Sequence, residues 1–145
     1  MKGIFASDGA LAGKKRGDML RPEELDAALV YLKRKKVAWD LHWTDSVALQ
    51  REDLDLVIGD FYHVLREGTC VHAGATSSNP ELHKYLIVSK APADLGSVLG
   101  LVIIPDFWAF SGNPAIKICE LLTVDGVKRY LGETMGTVRE NPVHW

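Results

Sequence analysis

Two residues in the stretch VAWDLHW, at positions 37–43, are of types that carry out acid–base chemistry. The period-two alternation of the stretch predicts a strand whose successive side chains lie on opposite faces. Asp40 and His42 therefore share one face, opposite Trp39 and Trp43. A carboxylate beside an imidazole can fix the tautomer of the ring and raise its basicity, which makes a general base. That role requires a pocket beside this face, because on a solvated face the pair is ordinary surface.

A second candidate pair is a thiol and an imidazole in the stretch TCVHAG, at positions 69–74. Cys70 and His72 are two residues apart on a short predicted strand, so we expect them on one face. They could form a nucleophile, or half of a zinc site with His83 as a third ligand. Buried free cysteines and hydrogen-bonded histidines are more common, and no second cysteine is close in sequence. His72 stays a candidate third member of the acid–base site, while no metal site and no cofactor are predicted.

An aromatic stretch, PDFWAFSGNP at positions 105–114, places three rings between two prolines. The SGNP residues that follow the rings favour a surface turn, so the stretch is predicted to be a loop. The rings either fold back into the core, or they line a pocket mouth or a subunit interface, where aromatic residues concentrate. The residues assigned to such a cavity or interface are Trp39, Trp43, Phe107, Trp108 and Phe110.

Three functional hypotheses follow from these groups. The first is a protein that binds an apolar small molecule, self-associates into a homo-oligomer, or does both through its aromatic residues. The alternative is a cofactor-free hydrolase or isomerase that uses Asp40 and His42, with His72 as a further member. The ligand-binding and enzyme hypotheses differ in whether the strand face with Asp40 and His42 lines the same cavity as the aromatic loop.

The third hypothesis is phosphate or nucleic-acid binding by the basic N-terminal region. Residues 1–36 hold 9 Lys and Arg against 5 Asp and Glu, although the whole chain has a net charge of −2. The clusters GKKRG (13–17) and KRKK (33–36) would make the contacts to phosphate. Because the rest of the chain is acidic and no basic surface is interleaved with aromatic residues, nucleic acid is not an expected partner.

Composition bounds the class of protein. A chain of 145 residues with 47% apolar and 25% charged residues is expected to form a single domain, 1–145, with a real core. No apolar run is long enough to span a bilayer, and the first residues do not have the pattern of a signal peptide. Two cysteines within apolar stretches are typical of a reducing compartment, so the sequence predicts a cytoplasmic protein without a membrane partner.

Periodicity and turn signals give the order of the elements. Residues 1–21 are expected to be a loose N-terminal arm, 124–127 a turn, and the tail from 136 a last edge strand. Helices are predicted at 22–36 and 51–68, and strands at 37–43, 69–74, 85–89, 97–105 and 115–124. This order predicts an α+β protein with one largely antiparallel sheet of about five strands packed against two main helices, compatible with a cone that encloses a pocket.

Overall fold

A computed structural model of the protein describes residues 11, 13–34, 39–90, 98–108, 114–134 and 136–138. Within these ranges the chain forms four helices and six strands. The helices are α1 (Pro22–Arg34), α2 (Asp45–Asp53), α3 (Ile58–Glu67) and α4 (Val124–Glu133). The strands are β1 (Asp40–Trp43), β2 (Thr69–Thr76), β3 (His83–Lys90), β4 (Val98–Asp106), β5 (Ala115–Leu122) and β6 (Thr137–Val138).

All six strands belong to one sheet, in the order β1-β5-β4-β3-β2-β6. Strands β2 to β5 form an antiparallel meander, and β6 pairs antiparallel with the outer side of β2. Strand β1 pairs with β5 in parallel, so the sheet is mixed. The α+β class is confirmed. The described residues form a six-stranded sheet, compared with about five strands expected, and four helices, compared with two main helices expected.

Helices cover both faces of this sheet. On the first face, α1, α2 and α3 contribute to a large buried cluster around Phe61, Leu65 and the inward side chains of β3, β4 and β5. On the second face, α4 packs through Val127 against a smaller cluster that includes Leu86 and Val102. Because β3 and β4 are buried on both faces, their sequences read as nearly continuous apolar runs.

The helix predicted at 51–68 is two helices, so that prediction is wrong. The break follows Asp53, and Asp55 has a left-handed backbone with φ of 55°, which short polar side chains tolerate. The guanidinium of Arg51 donates to the carbonyl of Leu56 at 2.9 Å and closes the turn. The new helix starts where the carboxylate of Asp60 accepts the backbone N–H of Val57 at 2.8 Å.

The predicted turn at 124–127 is also wrong, because these residues form the first turn of α4. The backbone N–H of Val127 donates to the carbonyl of Thr123 at 2.9 Å, and the helix continues through Gly126. Apolar side chains at helical spacing, including Val127 and Leu131, pack on the second cluster. That amphipathic face outweighs the modest cost of one glycine inside a helix.

The described part of the N-terminal arm is not loose. Leu11 and Leu20 are buried in the first cluster, and the backbone N–H of Leu20 donates to the hydroxyl of Tyr85 at 3.0 Å. Arg16 forms ion pairs with Glu81 and, at 3.2 Å, with Asp106, which tie the arm to the body of the domain. The predicted end of the first helix and start of β1, at 35–38, lie outside the described residues.

None of the described helices has the length and apolar character needed to cross a membrane. The predicted last edge strand is present as β6, which covers two residues.

Candidate functional site

The second face of the sheet is only partly covered by α4. Between the end of this helix and the neighbouring strands lies an open groove of about 450 Å³. Its lining is mostly polar and comes from four elements and the residue after α4: Ala75, Thr76, Lys84, Glu120, Tyr130, Glu133 and Thr134. The groove combines charged groups with buried polar ones.

Two half-buried charges of opposite sign line this groove. Lys84 lies on β3 and Glu120 on β5, and neither forms an ion pair within 4.0 Å with another described residue. Strand β4 lies between their strands, so their backbones are on the order of 10 Å apart. The two side chains therefore line one groove from strands that are not adjacent in the sheet.

A register irregularity explains why Glu120 is in the groove. Between β4 and β5 the pairing shifts after Val102, so one residue of β5 has no direct partner. Cys119 packs with the second cluster and Glu120 lines the groove beside Tyr130, so two successive residues lie on the same face. Strict alternation would have separated them.

At the inner end of the groove, Tyr130 covers a fully buried histidine. His72 has no exposed surface, and its ring centre lies 5.4 Å from that of Tyr130, with the rings nearly perpendicular at 84°. Both ring nitrogens of His72 and the hydroxyl of Tyr130 are buried without a hydrogen-bond partner among the described residues. Leaving such a group unsatisfied costs about 1–3 kcal/mol, so three of them in one place need an explanation.

Burial keeps both groups uncharged at neutral pH. It lowers the pKa of His72 below its usual value, and the nearby backbone of Thr134 offsets only part of this change. Burial, followed by the negative charge of Glu120, raises the pKa of Tyr130 to about 12, although the side chain of Thr134 has an opposing effect. A neutral imidazole can donate and accept a hydrogen bond, and the protonated phenol can donate one.

A bulge in β2 corrects the predicted pairing of Cys70 with His72. The register shifts between these two residues, so Cys70 belongs to the first cluster while His72 contacts Tyr130 on the second face. The thiol of Cys70 donates to the backbone carbonyl of His72 at 3.3 Å.

His83, the suggested third metal ligand, has its Nε2 3.1 Å from the carbonyl of Gly17. Among the described residues no group of three His, Cys, Asp or Glu side chains could hold a metal ion.

Asp40 and His42 lie on β1 at the far edge of the sheet. Leu41 and Trp43 pack against the first cluster and His42 is exposed, in agreement with the predicted alternation. Three strands separate β1 from β2, which places His72 roughly 19 Å from this pair. The three candidate catalytic residues therefore do not form one site.

The described rings of the aromatic loop lie against the core. Phe107 is 3% exposed and meets Trp108 edge to face at 6.2 Å. The cavity between these rings, Leu20 and Tyr85 measures about 10 Å³, room for about one water molecule. Phe110 lies outside the described residues.

The two tryptophans near β1 also pack against helix α3. Trp39 stacks on Tyr62 at 6.1 Å, and Trp43 meets Phe61 at 5.9 Å. The described aromatic residues thus fill space between the sheet and its first helical layer, and no ligand-sized cavity separates Phe107 from Trp108.

Replacing Trp108 with alanine tests whether the loop is core or interface. We expect Trp108→Ala to lower the free energy of unfolding by about 2 kcal/mol, since the half-buried ring packs against the core. Denaturant titration measures this loss, and light scattering should give wild type and variant the same molar mass. A wild-type oligomer that becomes a monomer with unchanged stability would instead assign the ring to a subunit interface.

Several of the basic residues proposed to bind phosphate are paired with carboxylates. Lys14 contacts Glu24 at 3.0 Å, and Lys33 contacts Glu67 at 3.1 Å. Arg16 bridges the two carboxylates of Glu81 and Asp106. These pairs reduce the positive charge that the N-terminal region offers to a polyanion.

The site is therefore that of a small α+β protein with a charged, half-covered sheet face. No protein family model, no curated protein and no solved structure matches this chain. Sequence reasoning found His72 but missed Lys84, Glu120 and Tyr130. The apolar spacing of α4 was the one signal that could have placed Tyr130 over the sheet.

Proposed function

We propose that the protein binds a small zwitterionic molecule in the groove on the second sheet face. The observation that carries this proposal is the pair Lys84 and Glu120, half-buried, opposite in charge and without an ion pair among the described residues. A partly desolvated charge is unfavourable unless it is matched, and these two side chains form no ion pair with each other or with another described residue. A ligand with a carboxylate at one end and an ammonium group at the other would pair with both.

The surrounding residues fit such a ligand. Glu120 lies near Tyr130, and Glu133 adds a second carboxylate to the lining of the groove, which suits an ammonium group. Lys84 supplies the cation for a carboxylate. This is the recognition pattern of an amino acid or a short peptide, and it replaces the apolar ligand suggested by the aromatic residues.

The other candidate functions have less support. An apolar ligand at the aromatic loop would need more space than the cavity of about 10 Å³ beneath Phe107. An Asp40–His42 enzyme would work at an exposed edge strand, without His72. Self-association through Trp108 remains a prediction that the molar mass decides.

A series of ω-amino acids tests the proposal. We expect γ-aminobutyrate and ε-aminocaproate to bind more tightly than glycine, because their charged groups are further apart and closer to the spacing of the two side chains. Binding is followed by NMR of isotope-labelled protein, with chemical-shift changes expected at Lys84, Glu120 and Tyr130. Lys84→Met and Glu120→Gln should each weaken binding about tenfold, because a hydrogen bond to a charged group contributes about 1.5–3 kcal/mol.

The chain offers matched control variants. Lys90 lies exposed at the other end of β3, and Glu52 lies exposed on α2, away from the groove. Lys90→Met and Glu52→Gln should leave binding unchanged. Equal affinity for all members of the series would show that the groove does not select the spacing between the two charges. Equal losses in the control variants would show that Lys84 and Glu120 do not recognise a zwitterion.

A further inference from the structure

The buried histidine at the inner end of the groove is covered by Tyr130 on one side and contacted by the main chain of Gly136 on another. Gly136 has φ of 146°, and a Cβ atom at this position would lie 2.6 Å from Cε1 and 2.9 Å from Nε2 of His72. The same atom would lie 2.6 Å from the carbonyl oxygen of Ala73. The backbone of Gly136 therefore rests directly on the imidazole, where no side chain fits.

The segment that makes this contact, Gly136 to Val138, is here termed the strap. It pairs with β2 over two residues, Thr137 with Ala73 and Val138 with His72. All three strap residues are exposed, and Val138 has 47% of its surface in solvent. None of them belongs to either core cluster, so among the described residues the pairing with β2 is the strap's main contact with the sheet.

We propose that the strap is a cover that opens, and that His72 and Tyr130 beneath it form an inner subsite for an uncharged hydrogen-bonding group. The inference extends the proposed function and rests on it for the zwitterionic part of the ligand. The two ring nitrogens of His72 and the hydroxyl of Tyr130 have no well-formed hydrogen bond among the described residues, although Thr134 lies close to both side chains, and they are next to an open groove. An amide group in the subsite would satisfy the donors and the acceptor together, whereas a charged group would be disfavoured by burial.

Acid is expected to favour the open strap. Tyr130 from α4 is the titratable group that contacts His72, and Glu133 from α4, Lys84 from β3 and Glu120 from β5 line the groove beside it, while the strap carries no titratable side chain. Burial lowers the pKa of His72 in the closed form, and exposure on opening returns it toward about 6.5. The preference for the closed form is therefore complete above about pH 6.5. As the pH falls from there towards the lowered pKa of His72, the equilibrium constant for opening of the strap should rise by up to about tenfold per pH unit.

Two glycine variants distinguish an effect on the opening of the strap from an effect on the stability of the fold. Gly136→Ala places a methyl group against the His72 ring and should lift the strap, whereas Gly132→Ala adds one on α4 with no atom within 4 Å. By NMR titration, His72 should show a lowered pKa in wild type and Gly132→Ala. In Gly136→Ala it should titrate near its usual value, with faster amide exchange at Thr137 and Val138. Retained chemical shifts in α4 would establish that Gly136→Ala is folded.

Acetamide, acetate and methylammonium are the probes of the subsite. In wild type at neutral pH, where His72 is uncharged in both forms, acetamide should shift the His72 ring nitrogen resonances, and the two ions should shift only groove residues. Acetamide binding without ω-amino-acid binding would support the subsite and remove the proposed zwitterion. The inference is overturned by an unshifted His72 titration in wild type, by unchanged amide exchange in Gly136→Ala, or by no response of His72 to acetamide.

Discussion

Replacing Phe61 with alanine is expected to lower the free energy of unfolding by about 4 kcal/mol, a large loss even for a substitution in a protein core. Phe61 is fully buried in the first cluster and meets Trp43 edge to face at 5.9 Å. The rigid sheet and helix α1 cannot both collapse onto the space the ring leaves, so a cavity remains and adds to the lost transfer energy. Urea denaturation followed by tryptophan fluorescence measures the change.

The matched controls come from the same apolar pattern in the sequence. Val57 and Ile58 occupy positions that one continuous helix would bury with Phe61, but they are 63% and 41% exposed at the start of α3. Val57→Ala and Ile58→Ala should therefore each change stability by less than about 1 kcal/mol. A loss at Val57 as large as that at Phe61 would mean that residues 51–68 form one helix after all.

The second large effect is expected at the contact between the sheet and α4. A Cβ atom on Gly100 would lie 2.8 Å from Cγ2 of Val127 and 3.2 Å from Cδ1 of Leu86. Gly100→Val should therefore push α4 away from β4 and lower the free energy of unfolding by about 3 kcal/mol. Because α4 holds Tyr130 over His72, the variant should also bring the titration of His72 back toward its usual pKa.

Gly132→Ala is the control for this substitution, since its added methyl group has no neighbour and alanine favours a helix. It should raise stability by about 0.5–1 kcal/mol and leave His72 unchanged. Both properties are measured by denaturant titration and NMR. Wild-type stability and an unchanged His72 titration in Gly100→Val would show that α4 does not seal this face.

Local pattern was sufficient for much of the fold. The apolar runs YLIV and VLGLVII predicted the buried strands β3 and β4, and period two correctly assigned the sides of β1. The break at Asp55 was hidden because apolar residues continue at helical spacing through it. The helix ends there because Asp55 has a left-handed backbone and the carboxylate of Asp60 caps the next helix. Hydrophobic periodicity detects neither feature.

The candidate site was mostly beyond the reach of the sequence. His72, Lys84, Glu120 and Tyr130 come from four elements, and the order of the strands in the sheet sets their proximity. Two bulges then change which face a side chain occupies, next to His72 and next to Glu120. A bulge shifts the alternation by one residue and leaves no compositional trace in these strands.

The parallel pairing of β1 with β5 has a consequence for how the domain assembles. Asp40 lies beside Ala115, which is 75 positions further along the chain. The meander from β2 to β5 joins strands that follow one another, and each hairpin closes a short loop. The local pairs between β2 and β5 can therefore form first, whereas β1 can pair only after β5 is in place. Strand β1 comes first along the chain, but it pairs only with β5, so we expect it to join the sheet after the meander has formed.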